Sequence, residues 1–268
     1  MPGTLLDRLN RLDLGIRLLG AATICYGIAC FLQRDFAIYW QPVPDGVPFR
    51  QPLAFASAGL LVLSGVGLFL SATRRLAAIV QIALFLAYFA AYCSVPFKPD
   101  GVQPWLGMAE QLAIVVGAAT IWARMSPETA RRLRFGPAPA RVAYGIFSIA
   151  FALAHALALE GTARLVPGWF PGDPVFWALF TGAGHFAVGL ALIAGRLAIP
   201  AARIGGFMYL CFAAVIWLPG AVTHPTQWLR WAGLGITLAM MGALWLVGDY
   251  LAARAGEKRG DGTRAPAG

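Results

Sequence analysis

Residues 174–194 read PVFWALFTGAGHFAVGLALIA, an uninterrupted apolar run without a single Asp, Glu, Lys or Arg. About 20 such residues, wound as a helix, cross the hydrocarbon core of a bilayer. Backbone amides have no water to bond inside lipid, so a run of this kind satisfies them as an α-helix. Seven further stretches have the same character: 14–32, 52–70, 76–95, 105–123, 142–159, 199–218 and 228–247. No long two-residue alternation suggests a membrane β-barrel.

Composition agrees with eight spans. Of 268 residues 59% are hydrophobic and 12% charged, about half the roughly 25% charge of a soluble domain. Mean hydropathy is +0.68. A soluble fold of this length has too much boundary with water to hide such a chain. Disorder, collagen-like repeats and an ordinary cytosolic enzyme are excluded. The expected fold class is all-α, a polytopic membrane protein. The amphipathic stretch 4–13 precedes the first run, and no small-residue cleavage site closes that run, so it reads as a retained helix rather than a signal peptide.

Net charge is +9. The cations collect in short clusters between apolar runs, a topological signal, and no basic strand with interleaved aromatics points to nucleic acid. With the N-terminus on one side, 16 of the 21 basic residues fall on that side, including Arg74–Arg75, Arg131–Arg132 and Arg141. Arg34, Arg50, Lys98, Arg164 and Arg230 fall on the other. The bias places both termini in the cytoplasm of a multi-pass cell-membrane protein. The two longest outer loops, 33–51 and 160–173, are rich in aromatics and proline, and their Trp and Tyr rings are expected to lie along the membrane surface. The four cysteines lie in apolar stretches without metal spacing and read as packing residues.

The halves resemble one another at a shift of about 124 residues. Ser57 aligns with Thr181, Gly65 with Gly189, Leu68 with Leu192, and Ala77–Ala78 with Ala201–Ala202; Trp105 and Trp228 align one residue closer. A four-helix unit returns the chain to its starting side, so the expected arrangement is two parallel repeats, 1–124 and 141–250. They are joined by a basic cytoplasmic linker, 125–140, in which Ser126-Pro127-Glu128 reads as a helix start. A disordered tail is expected over 251–268.

Ionisable groups inside the spans are the candidate functional residues, because they are costly there. His155 lies near the outer end of the fifth run, with Glu160 at its exit, and His185 lies in the sixth. These three are expected to form an outer-leaflet polar cluster. Two imidazoles and a carboxylate are capable ligands, but their spacing is no metal signature, and none is assigned. Secondary candidates are Glu110 and Gln111 in the fourth run and His224 in the last outer loop. At the repeat shift, Phe31, Phe36 and Leu61 stand in place of His155, Glu160 and His185, which confines the cluster to the second half.

The second half, from Arg141 through Tyr250, resembles the DoxX-like membrane proteins. The resemblance rests on His155, on Val166-Pro167-Gly168-Trp169-Phe170-Pro171, on Thr181-Gly182-Ala183-Gly184-His185-Phe186-Ala187-Val188-Gly189-Leu190, on Arg196 with Ala201–Ala202, and on Pro219. The chain departs from the family pattern at His185, where an acid is usual. The weaker likeness of the first half implies a tandem duplication of the family's four-helix unit. Some members are similar to the membrane subunit of a thiosulfate:quinone oxidoreductase, so the resemblance implies a redox-associated inner-membrane subunit, with quinone as the ligand and a membrane or redox protein as partner. A small-molecule transporter and a non-catalytic scaffold are the alternatives. No hydrolase, nucleotide or metalloprotease motif occurs, and no residue is assigned a catalytic role.

Overall fold

The structure is a computed structural model that describes residues 13–96, 101–102 and 104–262. Arg8, Arg11, Lys98, most of the amphipathic stretch and the last six residues of the tail lie outside the described residues. Among the described residues the chain is helical, with no strand. Eight helices are long and apolar enough to cross a membrane. They are α1 (Leu14–Gln33), α2 (Arg50–Phe69), α3 (Arg74–Ala91), α4 (Trp105–Met125), α5 (Pro137–Leu157), α6 (Pro174–Ala194), α7 (Ala198–Thr223) and α8 (Trp228–Gly262). Their outward faces carry large apolar side chains such as Leu63, Ile204 and Phe207. Water would not tolerate a surface of this kind, whereas a lipid bilayer matches it. The protein is an integral, multi-pass membrane protein.

Local sequence explains where the helices start and stop. Pro174 opens α6 in the first turn, where its missing N–H costs nothing, and the Asp173 carboxylate accepts from Val175 N at 2.9 Å. Gly195 ends α6 at φ +73°, a conformation that glycine adopts without strain. The Arg141 guanidinium then donates to the exposed carbonyls of Leu192 and Ile193. This arginine, a topology marker in the sequence, also caps a neighbouring helix. Between α4 and α5 a short helix, Pro127–Arg132, starts at the expected Ser-Pro-Glu.

Helix α8 is the hub. It packs against α1, α4, α5 and α7. It is apolar all round, as a helix enclosed by others must be, and Ile236, Ala239, Ala243, Leu246 and Val247 are fully or almost fully buried. Successive helices are neighbours in both halves, α1 with α2, α2 with α3, α3 with α4, then α5 with α6, α6 with α7, α7 with α8, and α4 also meets α5 across the halves. Two of these seams are built alike. A Cβ on Gly65 would lie 2.7 Å from Gly20 O, and one on Gly20 would lie 2.9 Å from Gly65 O. In the other half a Cβ on Gly189 would lie 2.9 Å from Gly145 O, and one on Gly145 would lie 3.0 Å from Gly189 O. Facing glycines let backbones approach closely where van der Waals contact, not water exclusion, holds helices together.

One end of the bundle is tied by ions. Asp13 pairs with Arg74 at 3.4 Å and with Arg124 at 3.9 Å, and Arg203 meets Asp249 at 2.5 Å beneath the Trp245 ring. These contacts join the starts of α1 and α3 to the end of α4, and α7 to α8.

The structure departs from the sequence reading in two places. Helix α8 continues past Tyr250 to Gly262, so the segment 251–262, expected as disordered tail, is helical. Its Ala, Arg, Lys and Glu are strong helix formers that extend an existing helix without a new nucleation cost. The first long loop, 33–51, expected along the membrane surface, packs onto the helices instead. Phe36, Trp40 and Gln41 are buried, and Trp40 meets Trp217 of α7 edge-on at 5.6 Å. The cause is Arg50. Its guanidinium grips Asp35 at 3.1 Å, donates to Val43 O and lies over the Phe36 ring. Those contacts draw the loop into a plug. Tyr39 and Phe49 remain exposed, as does Trp169 of the second long loop.

Candidate functional site

Helix α5 ends at Leu157, and a short helix, Leu159–Ala163, comes after a break at Ala158. His155 therefore sits on the last turn of α5. Its Nδ1 is 2.8 Å from Phe151 O. A carbonyl only accepts, so Nδ1 carries the proton, and in the neutral imidazole Nε2 presents a free lone pair. Gly182 of α6 lies directly against this side chain; a Cβ there would lie 2.9 Å from His155 Cβ.

His185 stands one turn from Gly189 on the same face of α6, the face pressed onto α5. It is buried, and its ring centroid is 5.1 Å from that of His155. Around it are Phe151 at 5.4 Å, Tyr209 at 5.5 Å and Phe212 at 5.9 Å between centroids. Among the described residues none hydrogen-bonds a His185 nitrogen. Immediately after Phe212, α7 passes through a π-helical turn, Ala213–Trp217. Such turns change the rotational register of a helix and often mark functional sites. Here the turn separates Tyr209 and Phe212, on the histidines, from Trp217, on the Trp40 plug.

The expected cluster is thus assembled in part. His155 and His185 come together. Glu160 does not join them: it is exposed on the short helix after the Ala158 break, and no hydrogen bond or ion pair among the described residues links it to either ring. The chain does break at Ala158, but Glu160 then enters the short helix Leu159–Ala163 and faces outward rather than folding back onto His155. His224 is exposed on its loop and paired with Thr223 Oγ1 at 2.9 Å. Glu110 and Gln111 lie on α4, outside the histidine pocket. Among the described residues no group of three or more His, Cys, Asp or Glu is placed to hold a metal ion.

Sequence reading misses Phe151, Tyr209 and Phe212. The three-residue spacing of Tyr209 and Phe212, which puts both on one helix face, is the signal available in the sequence. Their position opposite α6 is not.

The corresponding place in the first half is filled differently. Aligning the two glycine seams puts Cys30 opposite His155 and Leu61 opposite His185. The Cys30 thiol lies 3.5 Å from Gln41 Oε1, which also accepts from Ala37 N at 2.8 Å. Nearby, Gln81 Nε2 donates to Thr23 Oγ1 at 3.0 Å, and Ser57 meets Tyr88 at 2.5 Å. Each of these side chains has at least one internal partner, although Gln41 Nε2 and Gln81 Oε1 are buried without one.

Comparison with known proteins gives no matching family model, no matching curated protein and no matching solved structure.

Proposed function

We propose that this protein binds the head group of a lipid-soluble quinone at His155 and His185 and serves as a redox-associated membrane subunit. One observation carries the reading: two neighbouring imidazoles pack against one another with three aromatic rings around His185, and His155 Nδ1 lies on Phe151 O, which leaves its Nε2 to bond a guest. A pocket of this chemistry suits a planar, neutral ring that offers or accepts hydrogen bonds at its edge. Phe151, Tyr209 and Phe212 supply ring contacts, and the imidazoles supply bonds to the carbonyl or hydroxyl oxygens. Exposed apolar side chains beside the imidazoles, Leu153, Leu157 and Phe180, give a long hydrocarbon tail a surface within the bilayer.

The DoxX-like resemblance supports the same reading, since some members are similar to a quinone-linked subunit. In this proposal the chain is a tandem duplication of that unit, supported by the shared neighbour order and the paired glycine seams. Both termini lie on the cytoplasmic side of the cell membrane, supported by the distribution of arginines.

The test is calorimetric titration of the detergent-purified protein with a short-tailed quinone. Saturable binding is expected in the wild type. His155→Ala and His185→Ala should each weaken it about tenfold, the worth of one hydrogen bond in a water-poor site. Affinity unchanged in both variants would overturn the assignment.

A further inference from the structure

Helices α2 and α3 form a groove that takes no part in the histidine site. Its volume is about 270 Å³. Ser64, Gly67 and Ala77 are its buried floor, and Leu60, Leu63 and Leu76 its exposed rims. The floor is tight, since a Cβ on Gly67 would lie 3.0 Å from Ala77 Cβ. Two hydroxyls line the groove, and both are turned onto backbone. Ser64 Oγ donates to Leu61 O at 3.2 Å, and Thr73 Oγ1 donates to Gly67 O at 2.9 Å. The surface left to a guest is apolar.

The depth of the groove matches one leaflet of a bilayer. Along α2 its lining runs from Leu60, near the middle of the helix, to Leu70 just past its end. That is roughly 15 Å of helix rise, half of the ~30 Å hydrocarbon core. An acyl chain of that leaflet has this reach, whereas a helix, about 10 Å across with its side chains, is too broad to enter.

Charge at the mouth says which lipid. The groove ends where α2 gives way to α3, at the arginine-rich end of the bundle. Among the described residues from 13 to 132, that end carries Arg17, Arg74, Arg75, Arg124, Arg131 and Arg132 against Asp13 and Glu128. Arg74 is turned inward, onto Asp13 and Leu68 O. Arg75 is exposed on the first turn of α3, between two lining residues, Thr73 and Leu76. The carbonyls of α2 that would repel an anion here are covered, Gly67 O by Thr73 and Leu68 O by Arg74. Basic side chains beside a cleft between membrane helices are the usual recognition element for anionic lipid head groups.

We propose that this groove holds one acyl chain of an anionic phospholipid whose phosphate meets the Arg75 guanidinium. The site lies in the first half, away from His155 and His185, and stands whether or not quinone binds there.

Native mass spectrometry of the intact, detergent-purified protein tests this by titration with phosphatidylglycerol and, separately, with phosphatidylcholine of the same chains. The wild type should bind one phosphatidylglycerol at least fivefold more tightly than phosphatidylcholine. Arg75→Gln should weaken phosphatidylglycerol about fivefold, the worth of one basic residue at an anionic head group, and leave phosphatidylcholine unchanged. Arg131→Gln, on the short helix after α4, should change neither. Both arginines are exposed, so neither substitution empties a buried contact. Ser64→Leu, which fills the floor, should weaken both lipids. Equal affinity of the wild type for the two lipids overturns the proposal. So does an equal loss from Arg75→Gln and Arg131→Gln, which reports diffuse charge rather than a site, or unchanged binding in folded Ser64→Leu. The lipid comparison and the two arginine variants decide the matter if Ser64→Leu fails to fold.

Discussion

The loop after α1 is drawn down onto its helices, whereas the loop after α5 stays open, and the side chains beneath each loop differ in the same sense. In the first half Cys30 pairs with Gln41, Gln81 with Thr23 and Ser57 with Tyr88. In the second half His155 uses one nitrogen on its own backbone, and among the described residues neither its other nitrogen nor His185 has a hydrogen-bond partner. The glycine seams below are near copies. The comparison teaches that one kind of glycine seam serves both halves, while the side chains beside it differ.

The frame itself should respond most strongly to substitution. Gly65→Leu and Gly189→Leu each push a side chain into a facing backbone carbonyl, a strain of at least about 1–3 kcal/mol. Both should lower the melting temperature in detergent by similar amounts, or abolish folded protein. A large loss from one and none from the other would break the parallel between the halves. The next effect separates chemistry from frame. His185→Leu installs the residue that the first half uses at Leu61. It should keep or raise thermal stability, because an unpaired buried polar group is removed, yet lose about tenfold or more in quinone affinity. The reciprocal change, Gln81→Ala, should lower stability by about 1 kcal/mol, leaving Thr23 with its backbone bond, and leave affinity alone.

A smaller effect falls on the plug. Arg50→Ala removes the contacts to Asp35 and Val43, and a loss of about 1–2 kcal/mol raises the open population by about 5- to 30-fold. Hydrogen exchange at the amides of Trp40 and Gln41 should accelerate by that order, with exchange in α6 unchanged. The smallest is expected at the open loop. Trp169→Ala should shift stability by no more than about 0.5 kcal/mol, as exposed positions usually do.

Much of this fold is legible without coordinates. Long apolar runs separated by charged clusters have one solution in a bilayer, so helix α6 falls at residues 174–194 in sequence and structure alike. Gly65 and Gly189 are visible in the sequence as a matched pair, although their facing partners, Gly20 and Gly145, are not. What stays hidden depends on contacts between distant segments. Trp40 and Phe36 suit a membrane interface as well as a protein interior, and only Arg50 and the distant Trp217 settle the matter. Glu160 stands apart from His155 because the chain enters a short helix, Leu159–Ala163, whose direction leaves no mark in composition. Tyr209 and Phe212 read as ordinary membrane aromatics until α7 is packed against α6.

The central claim is that the open half binds a quinone through its two histidines. Its most direct test is the quinone content of lipid extracts from purified wild type, the His155→Ala/His185→Ala double variant and Gln81→Ala, measured per mole of folded protein. The account predicts quinone in the wild type and in Gln81→Ala, and its loss from the double variant. Equal content in all three, or none in a folded wild type that also fails to take up added quinone, would contradict it.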